Sequence, residues 1–135
     1  MKKSRFSVIV VIVILAIAAL ACGGTISTAN IKSATLSADE SGSPETTVFK
    51  QDDLTIYCIV QLANAPSDTV VKAVWTAVEA EDVDPNTLID ETSLTSGDAE
   101  LTFNLTNSQR WPVGKYKVDL YLNDKLDRTL EYRIQ

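Results

Sequence analysis

The chain has 135 residues, with 18 acidic and 12 basic side chains, two cysteines and no histidine. This length accommodates one folded domain and a tail. The absence of histidine removes the usual general base for serine and cysteine nucleophiles and the commonest zinc ligand. We therefore expect a protein that is not an enzyme and that carries no catalytic metal.

The first 21 residues are ordered like an export signal. Three basic residues, Lys2, Lys3 and Arg5, precede an uninterrupted apolar run over residues 8–21. This run is shorter than the ~20 residues that span a bilayer, and it is typical of the core of a signal peptide. Removal of residues 1–21 leaves nine basic and 18 acidic residues, a net charge of −9, which excludes nucleic acid as an expected partner.

The segment Ala19-Leu20-Ala21-Cys22 resembles the lipobox of bacterial lipoproteins. The resemblance implies that the Cys22 thiol carries a diacylglyceryl group and that a type II signal peptidase makes this cysteine the mature N-terminus. The family prefers leucine three residues before the cysteine, whereas here that position is Ala19. The alternatives are an uncleaved anchor helix and an ordinary secretory signal with an incidental cysteine.

The lipobox resemblance also implies a location. Two or more acyl chains, such as palmitate, anchor a protein stably to a bilayer. We expect the chain at the cell membrane or outer membrane, with residues 22–30 as a lipidated tether and residues 31–135 as a domain outside the cytoplasm.

Short alternating segments separated by turn signals make up the rest of the chain, the pattern of an all-β sandwich. Seven strands are predicted, over residues 31–37, 54–62, 70–80, 88–94, 101–105, 116–122 and 126–134. The segment 88–94 is the weakest of them and is predicted to be an edge strand.

Several residues in this pattern resemble an immunoglobulin-like sandwich. Trp75 lies on the third predicted strand, where such domains place their core tryptophan. The segment Gly114-Lys115-Tyr116-Lys117-Val118 resembles their tyrosine corner, in which the Tyr116 hydroxyl would bond back to the preceding loop. Small immunoglobulin-like C-terminal domains of uncharacterised bacterial lipoproteins have a similar W-P-x-G-x-Y segment.

Cys58 stands where the immunoglobulin-like family has its first disulfide cysteine, but Val118 occupies the position of the second. We therefore expect no intrachain disulfide. Cys58 alternates with Ile56 and Val60 on an apolar face, so it is predicted to be a buried and inert thiol.

Eight acidic residues and no basic residue lie between Lys72 and Arg110. Among them, Asp82, Asp84, Asn86 and Asp90 copy several oxygen ligands of an EF-hand calcium loop. Thr87 stands where that loop needs glycine, and Ser93 replaces its bidentate glutamate. A weak calcium site therefore stays open beside the favoured interpretation, a solvated acidic loop.

The third predicted strand is apolar on both faces, whereas a sandwich strand normally turns one polar face to water. If Trp75 points inward, then Val74 and Val78 point outward. The resemblance to an immunoglobulin-like sandwich implies that a neighbouring strand then places Tyr121 beside them. An exposed apolar patch rimmed by charge often marks a binding surface. The favoured alternative is that the segment 88–94, or the tether, covers these valines.

Taken together, these patterns predict a lipid-anchored cell-envelope protein that acts as a non-catalytic interaction or assembly module, with an envelope protein as its partner. A calcium- or carbohydrate-binding module on the cell surface is the alternative. The acidic loops would support it, as would Trp111 if its ring is exposed.

Overall fold

The computed structural model describes residues 28–135. The predicted signal peptide, Cys22 and most of the tether lie outside these residues. Within them, no helix is long and apolar enough to cross a membrane. The regular structure of residues 28–135 consists of eight strands: β1 (Asn30–Ser37), β2 (Val48–Phe49), β3 (Thr55–Ala63), β4 (Thr69–Ala80), β5 (Thr87–Ser96), β6 (Glu100–Thr106), β7 (Gly114–Leu122) and β8 (Lys125–Ile134).

The strands form two sheets of unequal width. One sheet has three strands in the order β1-β3-β6, and the other has five in the order β2-β8-β7-β4-β5. All pairings are antiparallel except that of β2 with β8, which is parallel. The predicted all-β sandwich is confirmed, and each predicted strand lies within one of the observed strands or overlaps it by most of its length.

Strand β2 is the element that the sequence did not predict. It has only two residues, Val48 and Phe49, and a period-two pattern cannot be recognised over so short a run. Its contribution is nevertheless large, because the Phe49 side chain is 1% exposed. Its ring meets that of Tyr132 edge to face, with 5.6 Å between the centroids.

The core lies between the inner faces of the two sheets. Trp75 at the centre of β4 is fully buried, as predicted, and so is Cys58 on β3. Tyr132 on β8 connects the aromatic side chains, since its ring lies 6.1 Å from that of Trp75 and stacks on that of Tyr116 at 5.4 Å. Offset and edge-to-face ring pairs of this kind add about 0.5–1.5 kcal/mol beyond the burial of their area.

The loop before β7 is held by the predicted tyrosine corner. The Tyr116 hydroxyl donates to the Pro112 carbonyl oxygen at 2.5 Å, which confirms the bond back to the preceding loop. Trp111 in the same loop is 4% exposed, and its indole Nε1–H donates to the Asp53 carbonyl oxygen at 3.0 Å.

Gly114 allows β7 to begin directly against the end of β4. A Cβ atom added at this position would lie 2.2 Å from the Glu79 carbonyl oxygen and 2.5 Å from the Ala80 Cα. Both are backbone atoms of a paired strand, so they cannot move aside as a flexible side chain would.

We expect Gly114→Ala to destabilise the domain by about 2–4 kcal/mol, because the strand pairing of Ala80 with Gly114 must open to admit the methyl group. Gly97→Ala is the matched control, since its Cβ would meet neighbouring atoms only at 3.5 Å or more. That control should change stability by less than about 1 kcal/mol. Urea unfolding of both variants measures the difference, and equal stabilities would contradict this account of Gly114.

Candidate functional site

The candidate interaction face is the outer surface of β4 and β7, opposite the core. On β4, Val71, Ala73 and Trp75 point inward and are fully buried, so the alternating valines point outward. Val70, Val74 and Val78 are each half-buried, as is Tyr121 on β7.

The strand register brings two of the three predicted face residues together. Val74 is paired with Asp119 of β7, and Tyr121 is paired with Lys72, so Val74 and Tyr121 are diagonal neighbours on one surface. Val78 lies four residues further along β4, about 13 Å from Val74 by the rise of a strand. It lines a separate groove with Val48, Lys115 and Arg133.

The segment 88–94 does not cover the valines, so this part of the favoured interpretation is wrong. Most of the tether, the other cover that it named, lies outside the described residues. The segment 88–94 belongs to β5, which pairs beside β4 in the plane of the same sheet, with Val74 opposite Glu91. Strand β5 runs along the outside of the domain, and Asp90, Glu91 and Thr92 are all exposed. A segment with so many polar side chains forms a solvated edge strand and not a lid.

Charged side chains form the rim of this face. The Lys117 ammonium lies 3.3 Å from a carboxylate oxygen of Asp119, and the Thr129 hydroxyl donates to the other oxygen at 2.5 Å. The Lys72 ammonium lies 4.7 Å from the centre of the Tyr121 ring, within the range of a cation–π contact. These contacts hold the polar groups around Val74 in fixed positions.

Three of the calcium-ligand candidates, Asp82, Asp84 and Asn86, lie in the hairpin turn between β4 and β5. Asp82 and Asn86 both adopt positive φ angles, 58° and 57°, which aspartate and asparagine tolerate better than most residues. The Asn86 N–H donates to the Val78 carbonyl oxygen, and the Thr87 hydroxyl donates to that of Asp84. These residue types therefore have a structural explanation in the turn.

The turn does not gather the predicted calcium ligands into one set. Asp90 lies on β5, paired with Trp75, whereas Asp82 and Asp84 lie in the turn itself. Among residues 28–135, no three or more histidine, cysteine, aspartate or glutamate side chains lie close enough together to hold a metal ion. Nor can the buried Trp111 ring offer a sugar-stacking surface.

Burial makes the Cys58 thiol chemically inert at neutral pH. Cys58 is fully buried, and this desolvation raises the pKa of its thiol from 9.0 to about 12. The thiolate is the nucleophilic form of cysteine, so the native protein holds this group unreactive. Desolvation also raises the pKa of Tyr116 from 10.0 to about 12.

The sequence did not single out β6, whose outer edge has no partner strand among residues 28–135. Its exposed side chains, Glu100, Thr102, Asn104 and Thr106, alternate with apolar ones and identify a strand. Nothing in that alternation shows which strands are neighbours, so the open edge becomes visible only with the sheet order.

Two comparisons by sequence, one with protein-family models and one with curated proteins, find no match. Solved structures do match. An immunoglobulin-like protein from Pseudomonas aeruginosa has a TM-score of 0.54 at 13% identity, over 82% of this chain and 99% of that one. The alkylpurine DNA glycosylase AlkC of Pseudomonas fluorescens, bound to DNA containing an abasic site analog, has a TM-score of 0.51 at 16% identity.

The match to the glycosylase covers 81% of this chain but only 31% of that protein. Identities this low establish similarity of fold and nothing more. Together with the strand order, the buried Trp75 and the tyrosine corner, the similarity to these solved structures identifies the domain as an immunoglobulin-like antiparallel β-sandwich.

The raised pKa of Cys58 predicts a loss of stability in alkali. Between pH 9 and pH 12 the unfolded chain releases the thiol proton and the native protein retains it. The stabilisation is therefore complete below pH 9 and is lost as the pH rises through that window. Cys58→Ala should reduce the slope of unfolding free energy against pH by up to about 1.4 kcal/mol per pH unit.

Urea unfolding at pH 8, 10 and 11 measures this slope, and Val60→Ala on the same strand is the control. Val60 is equally buried but does not titrate, so its truncation should lower stability by a similar amount at every pH. Identical slopes for Cys58→Ala and the unsubstituted chain would contradict the prediction.

Proposed function

We propose that this protein is a lipid-anchored cell-envelope protein whose immunoglobulin-like domain acts as a non-catalytic interaction or assembly module. The observation that carries the proposal is the outer face of β4 and β7, where Val74 and Tyr121 lie side by side within a rim of fixed charges. In the described part of the chain, the strand that could have covered this face lies beside it.

The composition of the face suits recognition of a protein surface. Protein interfaces combine a partly apolar centre, often with tyrosine, and a polar rim that is already ordered. Val74 and Tyr121 supply the centre, and the Lys117–Asp119 pair supplies part of the rim. A pre-ordered rim lowers the entropy lost on binding.

The proposed anchor limits where the partner can be. From Cys22 to Thr28, the first described residue, there are six Cα–Cα steps, which span at most about 20 Å. A lipid on Cys22 would keep the domain within that distance of the membrane, and an envelope protein is the class of partner that this position favours. No contact among the described residues favours the calcium- or carbohydrate-binding alternative.

Replacement of Cys22 by Ser should abolish incorporation of labelled fatty acid and prevent cleavage before residue 22, because the serine hydroxyl does not replace the thiol in the lipidation reaction. Cys58→Ser is the control and should be labelled as the unsubstituted chain is, provided that it folds. A Cys22→Ser protein that still matures with residue 22 at its N-terminus would contradict the anchor.

Val74→Lys and Tyr121→Ala should each weaken association with an envelope partner while lowering stability by no more than about 1 kcal/mol, because both side chains are only half-buried. Crosslinking in intact envelopes reads out association, and thermal unfolding reads out stability. Ser33→Lys, on the exposed outer face of β1, is the control and should change neither.

If Val74→Lys lowers the free energy of unfolding by several kcal/mol and leaves crosslinking unchanged, the valine lies under another segment. Burial of an unpaired charge has a cost of that size. This outcome would remove the face as a candidate interaction surface.

A further inference from the structure

Strand β6 has a free main-chain edge. In the described part of the chain it pairs with β3 alone. The Asn107 N–H donates to the Leu54 carbonyl oxygen, and the Leu62 N–H donates to that of Ala99, which sets the phase of the ladder. Along an antiparallel strand, the N–H and C=O groups of one residue point to one side and those of the next residue point to the other. The main-chain groups of four residues therefore point to the open edge: Glu100, Thr102, Asn104 and Thr106.

The other outermost strands of the two sheets carry features that disfavour pairing with a further strand. The pairing of β5 with β4 has a register shift between Trp75 and Thr76 of β4. Strand β5 also exposes the charged Asp90 and Glu91. Strand β1 has a register shift between Ile31 and Ser33. Strand β2 pairs only with Arg133 and Ile134, and the remaining edge of β8 carries charged residues. Such irregularities and charges are the usual protection of edge strands, whereas β6 has one charged residue, Glu100, and neither a register shift nor a proline.

The five-stranded sheet extends past β6. On β4, Trp75 and Ala73 are fully buried under the three-stranded sheet. Their partners on β5, Asp90 and Thr92, point to the same side of the sheet but are exposed. Among the described residues, the three-stranded sheet therefore leaves this part of β5 uncovered and the space beside β6 open. One more strand at the usual spacing of ~4.8 Å would lie in this space.

The walls of this space define the chemistry of its occupant. An added strand would turn its inner side chains toward Asp90, Thr92 and the half-buried Leu94 of β5, and its outer ones toward Glu100 of β6. The whole stretch of residues 73–109 contains no basic residue. Charge complementarity therefore favours an extended segment in which lysine or arginine alternates with small apolar residues.

A second copy of this domain fits the edge less well. Antiparallel pairing of two β6 strands around Phe103 would place the two protruding β5 strands in the same region. Asp90 and Glu91 of one copy would then approach the same carboxylates of the other, and such repulsion disfavours the pair.

We propose that the open edge of β6 is a docking site for a basic, extended segment of a partner polypeptide, which adds to the three-stranded sheet as a fourth strand. This site is distinct from the outer face of β4 and β7 and does not depend on it. Main-chain bonds to Glu100, Thr102, Asn104 and Thr106 would supply affinity, and Asp90 with Glu100 would select the charge.

The experiment uses the full-length chain in detergent and two fluorescein-labelled nine-residue peptides, one alternating lysine with valine and the other glutamate with valine. Fluorescence anisotropy should show binding of the lysine peptide and at least about tenfold weaker binding of the glutamate peptide. Thr102→Pro removes one open-edge N–H and should weaken binding at least about tenfold, whereas Thr102→Ala retains that N–H and should stay within about twofold.

Circular dichroism checks that Thr102→Pro folds. If it does not, Asp90→Lys becomes the deciding variant and should weaken binding of the lysine peptide, while Glu131→Lys on the distant β8 should not. The proposal is overturned if the lysine peptide does not bind at 1 mM, if both peptides bind equally, or if the deciding variant binds like the unsubstituted chain. A dimer of the peptide-free chain that Thr102→Pro dissociates would assign the edge to a second copy and also overturn it.

Discussion

Two sheets of unequal width must close over one core, and the other features of this domain follow from that mismatch. Trp75 lies on β4, next to the edge strand β5 of the wider sheet, and is still buried completely. The strand beyond it, β5, is only partly covered by the described residues of the facing sheet. Leu94 still packs against the core, whereas Asp90 and Thr92 are exposed. On the narrower sheet the same mismatch leaves β6 with an open edge. The positions of the buried and exposed surfaces thus follow from strand number and order.

The core is held without the disulfide that many immunoglobulin-like domains place beside their tryptophan. Cys58 is a free buried thiol, and Val118 packs as an apolar residue with it in the same core. Aromatic contacts centred on Tyr132 connect β2, β4, β7 and β8, so Phe49 from a two-residue strand participates fully. Gly114 and the Tyr116–Pro112 bond then set where β7 begins against β4. Packing and close backbone approach therefore stabilise this sandwich.

Alternation of side chains predicted most of the fold and part of the candidate face. It placed Cys58 and Trp75 in the core and Val74 and Tyr121 outside, because the period of a strand determines which side chains share a face. It could not determine what lies over a face, since that depends on sheet order. For this reason the segment 88–94, one of the two covers that the sequence suggests for the valines, instead lies beside β4. Trp111 shows the same limit, because its burial depends on a contact with Asp53, 58 residues away. The lipid on Cys22 remains a prediction from the order of charge, apolar run and cysteine.

Residue-resolved hydrogen exchange on the full-length chain tests the unequal-sheet account most directly. The account predicts alternation along β6, with slow exchange for Leu101, Phe103 and Leu105, whose amides face β3, and fast exchange for Thr102 and Asn104. On β4, which has a partner strand on each side, the amides of odd- and even-numbered residues should both exchange slowly. Uniformly slow exchange over residues 100–106 would show that another strand already pairs with β6 and would contradict the account.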